Sequence, residues 1–371
     1  MVLPTFNEAD SLPVIVPNIT DTLKQAGING EIIVVDDNSP DGTAEVALAL
    51  ARTYPVRVLK RTAERGLATA VLAGFNLSEA PACVVMDADS SHPVSALPEM
   101  VNKILEDRAD IVVGSRNIKG GGIRDWPLIS QLKSKFAATL ALGLTGLTDP
   151  TTGFMAVRRD LVAGLKLDPV GWKIVLEIAV KAAPARIAEV PIVFSDRERG
   201  QSKQDLRVMW QYLTHCYRLY CYRYPAFIEF IKFCIVGFIG LFIDLMVVAA
   251  LKMGWALDTR LCAVGGFSVA VTTNYLINRF WSFKNARFTP WISSYLTYVG
   301  TNLLGFGIRV GVVHLFILLA DIDRGYGYLL TNFIGIVVAT IFNFIGAKYF
   351  AFNPQKLAFD FYADSNKKGD S

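Results

Sequence analysis

Two aspartates separated by one residue, Asp87 and Asp89, come directly after an apolar run that ends at Met86. Two hard oxygen donors this close together suit Mg²⁺ or Mn²⁺, with substrate phosphates completing the coordination shell. The alternative is a turn that begins with Asp because Asp favours turns. The predicted strands and helices around the two carboxylates distinguish between a metal site and a plain loop.

Other charged residues follow other apolar runs. Asp36 and Asp37 come after the run 31–35, and Arg116 comes shortly after the run 110–114. Open α/β sheets bind ligands at the carboxyl ends of their parallel strands, so these side chains are expected to converge on one rim. This convergence favours the metal site. Because there is no Gly-x-Gly-x-x-Gly or Walker motif, metal and Arg rather than a glycine-rich loop are expected to hold phosphates.

The order of the elements predicts a doubly wound, mostly parallel sheet. An apolar strand end passes into a turn over residues 2–8. Further predicted strands are 31–35, 56–59, 83–86 and 110–114, and predicted helices are 10–25, 43–53, 65–78 and 94–106. The first strand is short or the recorded start is late, and no signal peptide is visible.

Composition divides the chain in two. The 371 residues are 52% hydrophobic, but residues 1–222 have an ordinary soluble composition whereas residues 227–350 are strongly apolar. A net charge of +4 is too mild to argue for a nucleic-acid partner. The five cysteines have no metal or disulfide spacing, which favours a reduced, cytosol-facing protein.

The apolar half contains four predicted membrane spans, at 227–251, 261–283, 292–320 and 327–350. Each is long enough for ~30 Å of hydrocarbon. Lys and Arg cluster before the first span, between the second and third, and after the fourth, so the positive-inside rule places the soluble half and both termini in the cytosol. The segment 202–225 is predicted to be an amphipathic helix at the membrane interface, or else a helix packed on the soluble core.

Polar residues within the spans need partners. Interhelical hydrogen bonds are expected for the Asn residues, and Asp244 with Arg309 is a candidate buried pair. Gly237-x-x-Gly240 permits close helix contact.

Several motifs, taken in order, carry a resemblance. Residues 4–8, 35–43 and 86–89 resemble the signatures of family 2 glycosyltransferases with the GT-A fold. Within that family the chain is most similar to dolichol-phosphate mannose synthases and bacterial polyprenyl-phosphate glycosyltransferases, through residues 114–116, 149–154, 171–178 and 197–203. Residues 274–283 resemble a signature of GtrA-like membrane domains, which occur fused to such synthases in some prokaryotes.

The resemblance implies roles for individual residues. The nucleotide would be held by Pro4, Phe6, Glu8, Asp37, Arg65 and Asp87. The metal ligands would be Asp87 and Asp89, with Ser91 in the third position. The phosphates and the acceptor would be held by Arg116, Lys133, Ser134, Arg197, Lys203 and Glu177, and the catalytic residues would be Asp89, Arg116 and Arg197. Asp149 would shape the sugar or acceptor pocket together with Glu177.

The sequence departs from the family pattern in two places. Ser91 stands where the family usually has Gln, and Ser130 and Gln131 stand where it usually carries Arg. A shorter ligand at Ser91 implies a changed metal affinity or a water in its place, and Lys133, Lys135 or Arg124 is expected to compensate for the missing Arg.

Two further features have open interpretations. The triplet 120–122 is three glycines, which form either a plain loop or an active-site lid. His92 is interpreted as the residue that precedes a helix start at Pro93 rather than as a metal ligand.

The sequence therefore predicts a GT-A catalytic domain at 1–201, an interfacial helix or linker at 202–225, a four-helix membrane domain at 226–352 and a polar tail at 353–371. The expected reaction is inverting transfer of mannose from GDP-mannose to dolichyl or another polyprenyl phosphate, with Mg²⁺ or Mn²⁺, at the cytosolic face of a prokaryotic plasma membrane. Alternatives are transfer from UDP-glucose or another UDP-sugar to undecaprenyl phosphate, and an inactive lipid-binding or flipping module. A homo-oligomer stays open.

Overall fold

The computed structural model describes residues 1–124, 128–168, 173–195, 206–320 and 327–353. The chain divides into two compact units with the boundary between Arg223 and Tyr224. The first unit carries a β-sheet covered by helices, and the second is all helical.

The first unit is organised around a seven-stranded sheet with the order β3-β2-β1-β4-β7-β5-β8. Its strands are β1 (Val2–Thr5), β2 (Ile32–Asp36), β3 (Val56–Lys60), β4 (Ala82–Val85), β5 (Ile111–Ser115), β7 (Met155–Arg158) and β8 (Ile187–Pro191). A second, two-stranded sheet pairs β6 (Gly122–Arg124) with β9 (Val193–Ser195). The helices of this unit are α1 (Leu12–Gln25), α2 (Thr43–Leu50), α3 (Leu67–Leu77), α4 (Leu97–Leu105), α5 (Leu128–Ala141), α6 (Arg159–Ala163), α7 (Ile174–Lys181) and α8 (Leu206–Arg223).

Burial on both faces explains the apolar strands. In β2 the residues alternate between two cores, Ile32 and Val34 facing one and Ile33 and Val35 the other. A strand covered by helices on both faces needs a continuous apolar run rather than an alternating one. The strands thus deliver their following residues to one rim of a rigid sheet.

The predicted mostly parallel sheet is confirmed. Strand β1 pairs parallel with β2 and β4, β2 pairs parallel with β3, and β5 pairs parallel with β8. Strand β7 runs antiparallel and lies between β4 and β5. It forms after the segment 149–154, so this segment reaches the same rim from the opposite direction. The predicted order omitted β7, because a short buried run gives no sign of strand direction.

The structure adds detail to two local predictions. Gly122, the last of the three glycines, begins β6 and pairs in register with Val193 of β9, and the lid interpretation of the triplet stays a prediction. The helix predicted at 94–106 begins as a 3₁₀ turn over Val94–Ala96, and α4 follows at Leu97.

The second unit contains four helices long and apolar enough to cross a membrane. They are α9 (Pro225–Trp255), α10 (Thr259–Ile277), α11 (Trp291–Ala320) and α12 (Gly327–Gly346). A π-helical turn continues α10 over Asn278–Ser282, and another continues α12 over Ala347–Ala351.

The expected pair between Asp244 and Arg309 does not form. The Asp244 carboxylate packs against Gly266, and Arg309 packs against Gly335 and donates to Asn332 Oδ1 at 3.4 Å. Each charged side chain is therefore directed towards the glycine of the next helix rather than towards the other charge.

Candidate active site

Asp37 organises the part of the rim after β2. It accepts hydrogen bonds from Arg61 Nε and from the backbone N–H of Gly66, each at 2.7 Å. The Asp37 and Arg61 side chains are each only 9% exposed, so this is a buried ion pair. It fixes the loop that follows β3 against the end of β2.

The residues after β1 lie on the same part of the rim. Phe6 is 41% exposed, and the Arg65 guanidinium lies 5.6 Å from the centre of its ring. The N–H of Glu8 donates to Thr43 Oγ1 at 2.9 Å, and its carboxylate accepts from Ser11 Oγ at 2.8 Å. An exposed aromatic face beside a cation suits a nucleotide base.

Asp87 and Asp89 follow β4 directly, in a turn that includes Ser90 with a φ of +61°. The backbone N–H of Ser91 donates to Asp89 Oδ1 at 3.1 Å. Asp87 keeps 29% of its side chain exposed, whereas the Ser91 hydroxyl is buried and has no hydrogen-bond partner. The turn thus presents two carboxylates and an unused hydroxyl at the sheet edge.

This donor set fits a divalent cation. No group of three His, Cys, Asp or Glu side chains close enough for a metal occurs in the part of the chain that the structure describes. Mg²⁺ usually takes one or two carboxylates and completes its shell with substrate phosphates and water. Asp87 and Asp89 supply the two carboxylates, and the Ser91 hydroxyl lies in the same turn.

Two neighbours restrict where the Asp87 carboxylate can lie. Gly153, just before β7, leaves room for it, because a Cβ there would lie 3.3 Å from Asp87 Oδ2. His92 Nε2 lies 3.4 Å from the same oxygen. The His92 ring is buried beside Phe154 and Phe194, and this packing holds its Nε2 next to the Asp87 carboxylate.

Arg116 and Asp149 form the second buried ion pair of the rim. Arg116 donates from Nε and Nη2 to the two oxygens of Asp149 at 2.6 and 2.7 Å, and also to Thr151 Oγ1 at 2.9 Å. Burial alone would raise the pKa of Asp149, but the hydrogen bonds and the charge of Arg116 outweigh it and lower that pKa. The pair ties the end of β5 to the segment that precedes β7.

Lys173 adds another cation to this cluster. Its Nζ donates to the carbonyl of Thr151. The pKa of Lys173 is lowered to about 8, chiefly by burial and then by the nearby charge of Arg116, whereas Asp87 and Asp149 act in the opposite direction. Lys173 therefore connects the Arg116 cluster electrostatically to Asp87.

Helix α5 brings two more of the predicted residues. Ser134 Oγ lies 3.5 Å from Thr151 Oγ1, whereas Lys133 points to solvent. Tyr212 and Tyr220 of α8 donate to backbone carbonyls of α5 at 2.6 and 3.0 Å. The predicted amphipathic helix thus packs on the first unit through one face.

Helices α5 and α8 also carry exposed apolar residues. The exposed fractions are 66% for Leu132, 55% for Phe136 and 72% for Trp210. Exposed apolar residues beside Lys133 are typical of helices that lie in a membrane interface.

Glu177 is buried on α7. It is 1% exposed, and its Oε1 accepts from the backbone N–H of Asp168 at 2.7 Å and pairs with Lys181 at 2.6 Å. Its Oε2 is buried without a hydrogen-bond partner, and the acceptor contact expected from the sequence stays a prediction.

Arg197 and Lys203 lie outside the described residues. Sequence reasoning missed Arg61 and Lys173. Arg61 directly follows β3 and could have been found by the rule that already selected Arg116. Lys173 had no signal of its own, because only the return of β7 brings Thr151 to the rim.

Comparisons with known proteins agree with this geometry. Residues 1–165 match the Glycosyl transferase family 2 model, and residues 232–354 match the GtrA/DPMS transmembrane domain model. The chain thus combines a glycosyltransferase domain with a membrane domain.

Comparison with individual relatives is more specific. The chain is 35% identical to a dolichol-phosphate mannosyltransferase of Pyrococcus furiosus over 344 residues, which is 91% of this chain and 95% of the relative. It is 36% identical to an undecaprenyl-phosphate mannosyltransferase of Micrococcus luteus over 54% of this chain and 85% of the relative. A solved mannosyltransferase of Pyrobaculum calidifontis, in complex with GDP-Man and Mn²⁺, is 17% identical over 92% of this chain and 85% of that one, with a TM-score of 0.43.

The chain belongs to the dolichol-phosphate mannosyltransferase family. It is a hexosyltransferase and an integral membrane protein.

Proposed function

We propose that the protein transfers mannose from GDP-mannose to dolichyl phosphate, with inversion at the anomeric carbon, at the cytosolic face of a prokaryotic plasma membrane. The observation that carries this proposal is the likeness to a dolichol-phosphate mannosyltransferase along 95% of that relative's length, membrane helices included. The distribution of Lys and Arg between the spans supports the orientation.

Transfer needs no strong general base. The second pKa of a phosphate monoester is about 6, so the lipid phosphate is largely ionised near neutral pH. One of its oxygens attacks the anomeric carbon of mannose. The bond from that carbon to the donor diphosphate breaks, and the nucleoside diphosphate leaves with the electron pair. The task of the protein is therefore to align two anionic substrates and to stabilise the leaving group.

The two halves of the rim divide this task. Pro4, Phe6, Glu8, Asp37 and Arg65 hold the base and the ribose at the ends of β1 and β2. Arg61 fixes Asp37 for that role, since the two form a buried pair.

Asp87 and Asp89 hold Mg²⁺ or Mn²⁺, and Asp89 also orients the donor. When bound, the cation neutralises charge on the leaving diphosphate. Ser91 contributes its hydroxyl directly or through a water. Support for this assignment is the pair of carboxylates in one turn together with the unused Ser91 hydroxyl.

The cations of the rim hold the phosphates. Arg116 is held in place by its ion pair with Asp149. Lys133 and Ser134 lie on α5, whose exposed residues Leu132 and Phe136 we assign to the membrane interface. We assign Arg197 and Lys203 to phosphate binding as well. The chain then divides into a catalytic domain at 1–201, an interfacial helix or linker at 202–225, a membrane domain at 226–352 and a polar tail at 353–371.

The test is transfer by the purified full chain in nanodiscs that contain a polyprenyl phosphate. Labelled GDP-mannose is expected to give labelled lipid in the presence of Mg²⁺ or Mn²⁺ and none in excess chelator. Preferential use of UDP-glucose would replace the donor assignment, and full activity in chelator would contradict the metal.

A further inference from the structure

The membrane unit consists of two equivalent helical hairpins. The first is α9 and α10 with the π turn that starts at Asn278, and the second is α11 and α12 with the π turn that starts at Ala347. After each turn the next backbone N–H returns to the first carbonyl of the turn, from Phe283 at 3.0 Å and from Phe352 at 2.8 Å.

The same spacing of glycine and polar residues occurs in both hairpins. The first helix carries a glycine and, four residues later, a charged residue; the second carries a glycine and, eight residues later, an asparagine. In each hairpin the charged residue packs on the glycine of the second helix, and the asparagine packs on the glycine of the first. The residues are Gly240, Asp244, Gly266 and Asn274 in the first hairpin and Gly305, Arg309, Gly335 and Asn343 in the second.

Contacts between the hairpins repeat with the partners exchanged. Phe283 stacks on Phe344 with ring centroids 5.9 Å apart, and its equivalent Phe352 stacks on Tyr275 at 5.6 Å. Phe283 and Phe352 stack on each other at 5.0 Å. A pseudo-two-fold axis therefore passes between Phe283 and Phe352.

One contact between the hairpins has a different charge from its symmetry equivalent. Lys348 of the second hairpin forms an ion pair with Glu229 of the first at 2.8 Å. The equivalents of these residues are Arg279 and Ser294, and Arg279 Nη1 lies 3.5 Å from Ser294 Oγ. A neutral hydroxyl thus faces Arg279 where the other hairpin supplies a carboxylate.

Arg279 is a buried cation whose protein partners are all neutral. It is 2% exposed and donates to Tyr275 Oη and Thr289 Oγ1, each at 2.9 Å, and to the Thr289 carbonyl at 2.5 Å. Its guanidinium lies 4.2 Å from the centre of the Trp291 ring. No carboxylate pairs with it among the described residues, and its Nε has no hydrogen-bond partner. A buried charge is costly unless it is paired.

The π turn around Arg279 holds more unused polar atoms. Asn278 Oδ1 and Ser282 Oγ are buried without hydrogen-bond partners. The second hairpin has Ala347 and Ala351 at these positions. Only the hairpin that lacks the carboxylate carries the extra polar groups, and π turns frequently occur at functional sites.

We propose that Arg279 and Ser282 form a binding site for a phosphate group, which supplies the counter-ion that Ser294 does not. The guanidinium fork matches phosphate oxygens, and the unused Arg279 Nε–H and Ser282 hydroxyl are the available donors. Arg279 lies close to the end of the candidate span Thr259–Ser282, and the ends of membrane-spanning helices lie near the lipid head groups. A lipid phosphate monoester and inorganic phosphate share this chemistry. The site belongs to the membrane unit and does not depend on the donor or the acceptor of the transferase.

The substitution Ser294→Glu tests the proposal because it copies Glu229 and gives Arg279 an internal counter-ion. Binding is measured on the full chain in phosphatidylcholine nanodiscs, with phosphatidic acid as the lipid probe and inorganic phosphate as the soluble one. Ser294→Glu is expected to weaken binding at least about 10-fold, the effect of losing one charged hydrogen bond. The matched control Ser294→Ala leaves Arg279 without a carboxylate and is expected to bind as wild type does.

Ser282→Ala, which copies Ala351, is the second variant and adds no charge. It is expected to weaken binding of the same probe, so the proposal is tested even where Ser294→Glu does not fold. Saturable binding of phosphatidic acid alone identifies a lipid head group, and binding of inorganic phosphate as well identifies a site for the free anion. Absence of binding to both probes, or unchanged affinity in both variants, overturns the proposal.

Discussion

Gly153 lies directly against the Asp87 carboxylate, so that a Cβ at Gly153 would approach Oδ2 to 3.3 Å. The substitution Gly153→Ala is therefore expected to displace the carboxylate by a few tenths of an ångström and to weaken binding of Mn²⁺. Mn²⁺ titration followed by electron paramagnetic resonance measures this effect. Gly122→Ala is the matched control, because a Cβ at Gly122 meets nothing within 4 Å. Equal Mn²⁺ affinity in the two variants would remove Asp87 from the metal site.

Asp89→Asn keeps the size of the side chain and removes its charge. We expect mannose transfer to fall by ~100-fold or more, because metal binding and donor orientation both depend on this carboxylate. The measurement is incorporation of labelled mannose into lipid. Asp21→Asn, at an exposed position of α1, is expected to leave transfer unchanged. Wild-type turnover by Asp89→Asn would end the proposed mechanism.

Asp149→Asn leaves the Arg116 guanidinium buried without its counter-ion. The side chains of Arg116 and Asp149 are only 7% and 0% exposed. Breaking such a pair costs about 3–5 kcal/mol of unfolding free energy, and we expect a lower melting temperature of the full chain in detergent. Glu45→Gln, which removes an exposed pair with Lys60, is the control and is expected to leave the melting temperature close to that of the wild type, because exposed ion pairs contribute little to stability.

The same pair predicts a pH dependence of stability. The pKa of Asp149 in the folded protein lies below its ordinary value of 3.8. The stability from the ionised carboxylate is thus fully present above that ordinary value, and it is lost as the pH falls through the lowered pKa. Melting temperatures measured across the acid range are expected to fall less steeply in Asp149→Asn. Parallel curves for the two proteins would contradict the assignment.

In the Gly237-x-x-Gly240 motif, Gly240 packs closely against the neighbouring helix and Gly237 does not. A methyl group at Gly240 would overlap the Asn274 amide, whereas one at Gly237 meets nothing within 4 Å. Gly240→Ala is expected to cost about 1–3 kcal/mol through overpacking, and Gly237→Ala close to none. Thermal unfolding in detergent is the measurement. Equal melting temperatures would show that α9 and α10 do not pack through Gly240.

The sequence was sufficient to predict the elements that depend on local patterns. Buried strands such as β2 are continuous apolar runs, and each membrane helix is a long apolar segment, so both are visible without tertiary information. The rim position of Asp37, Asp87 and Arg116 followed from strand direction alone.

The missing parts depend on contacts between distant residues. Strand β7 pairs antiparallel with β4 and β5, and nothing in its four residues specifies that direction. The partners of Arg116 and Lys173 could not be assigned without β7, because Asp149 and Thr151 reach the rim on the segment before it. The burial of Glu177 was not predictable for a related reason, since only tertiary packing determines which face of α7 is covered.

The place of β1 in the sheet has a practical consequence for protein engineering. Strands β3, β2 and β1 are adjacent, and β4, β7 and β5 follow on the other side of β1. The residues assigned to the base and ribose lie almost entirely in the first 81 positions, and those assigned to the diphosphate and acceptor come later in the chain. In a chimaera that takes residues 1–81 from a relative of different nucleotide preference, exchanged and host strands of the seven-stranded sheet meet only where β1 pairs with β4. We expect such exchanges to transplant donor choice while leaving acceptor choice with the host.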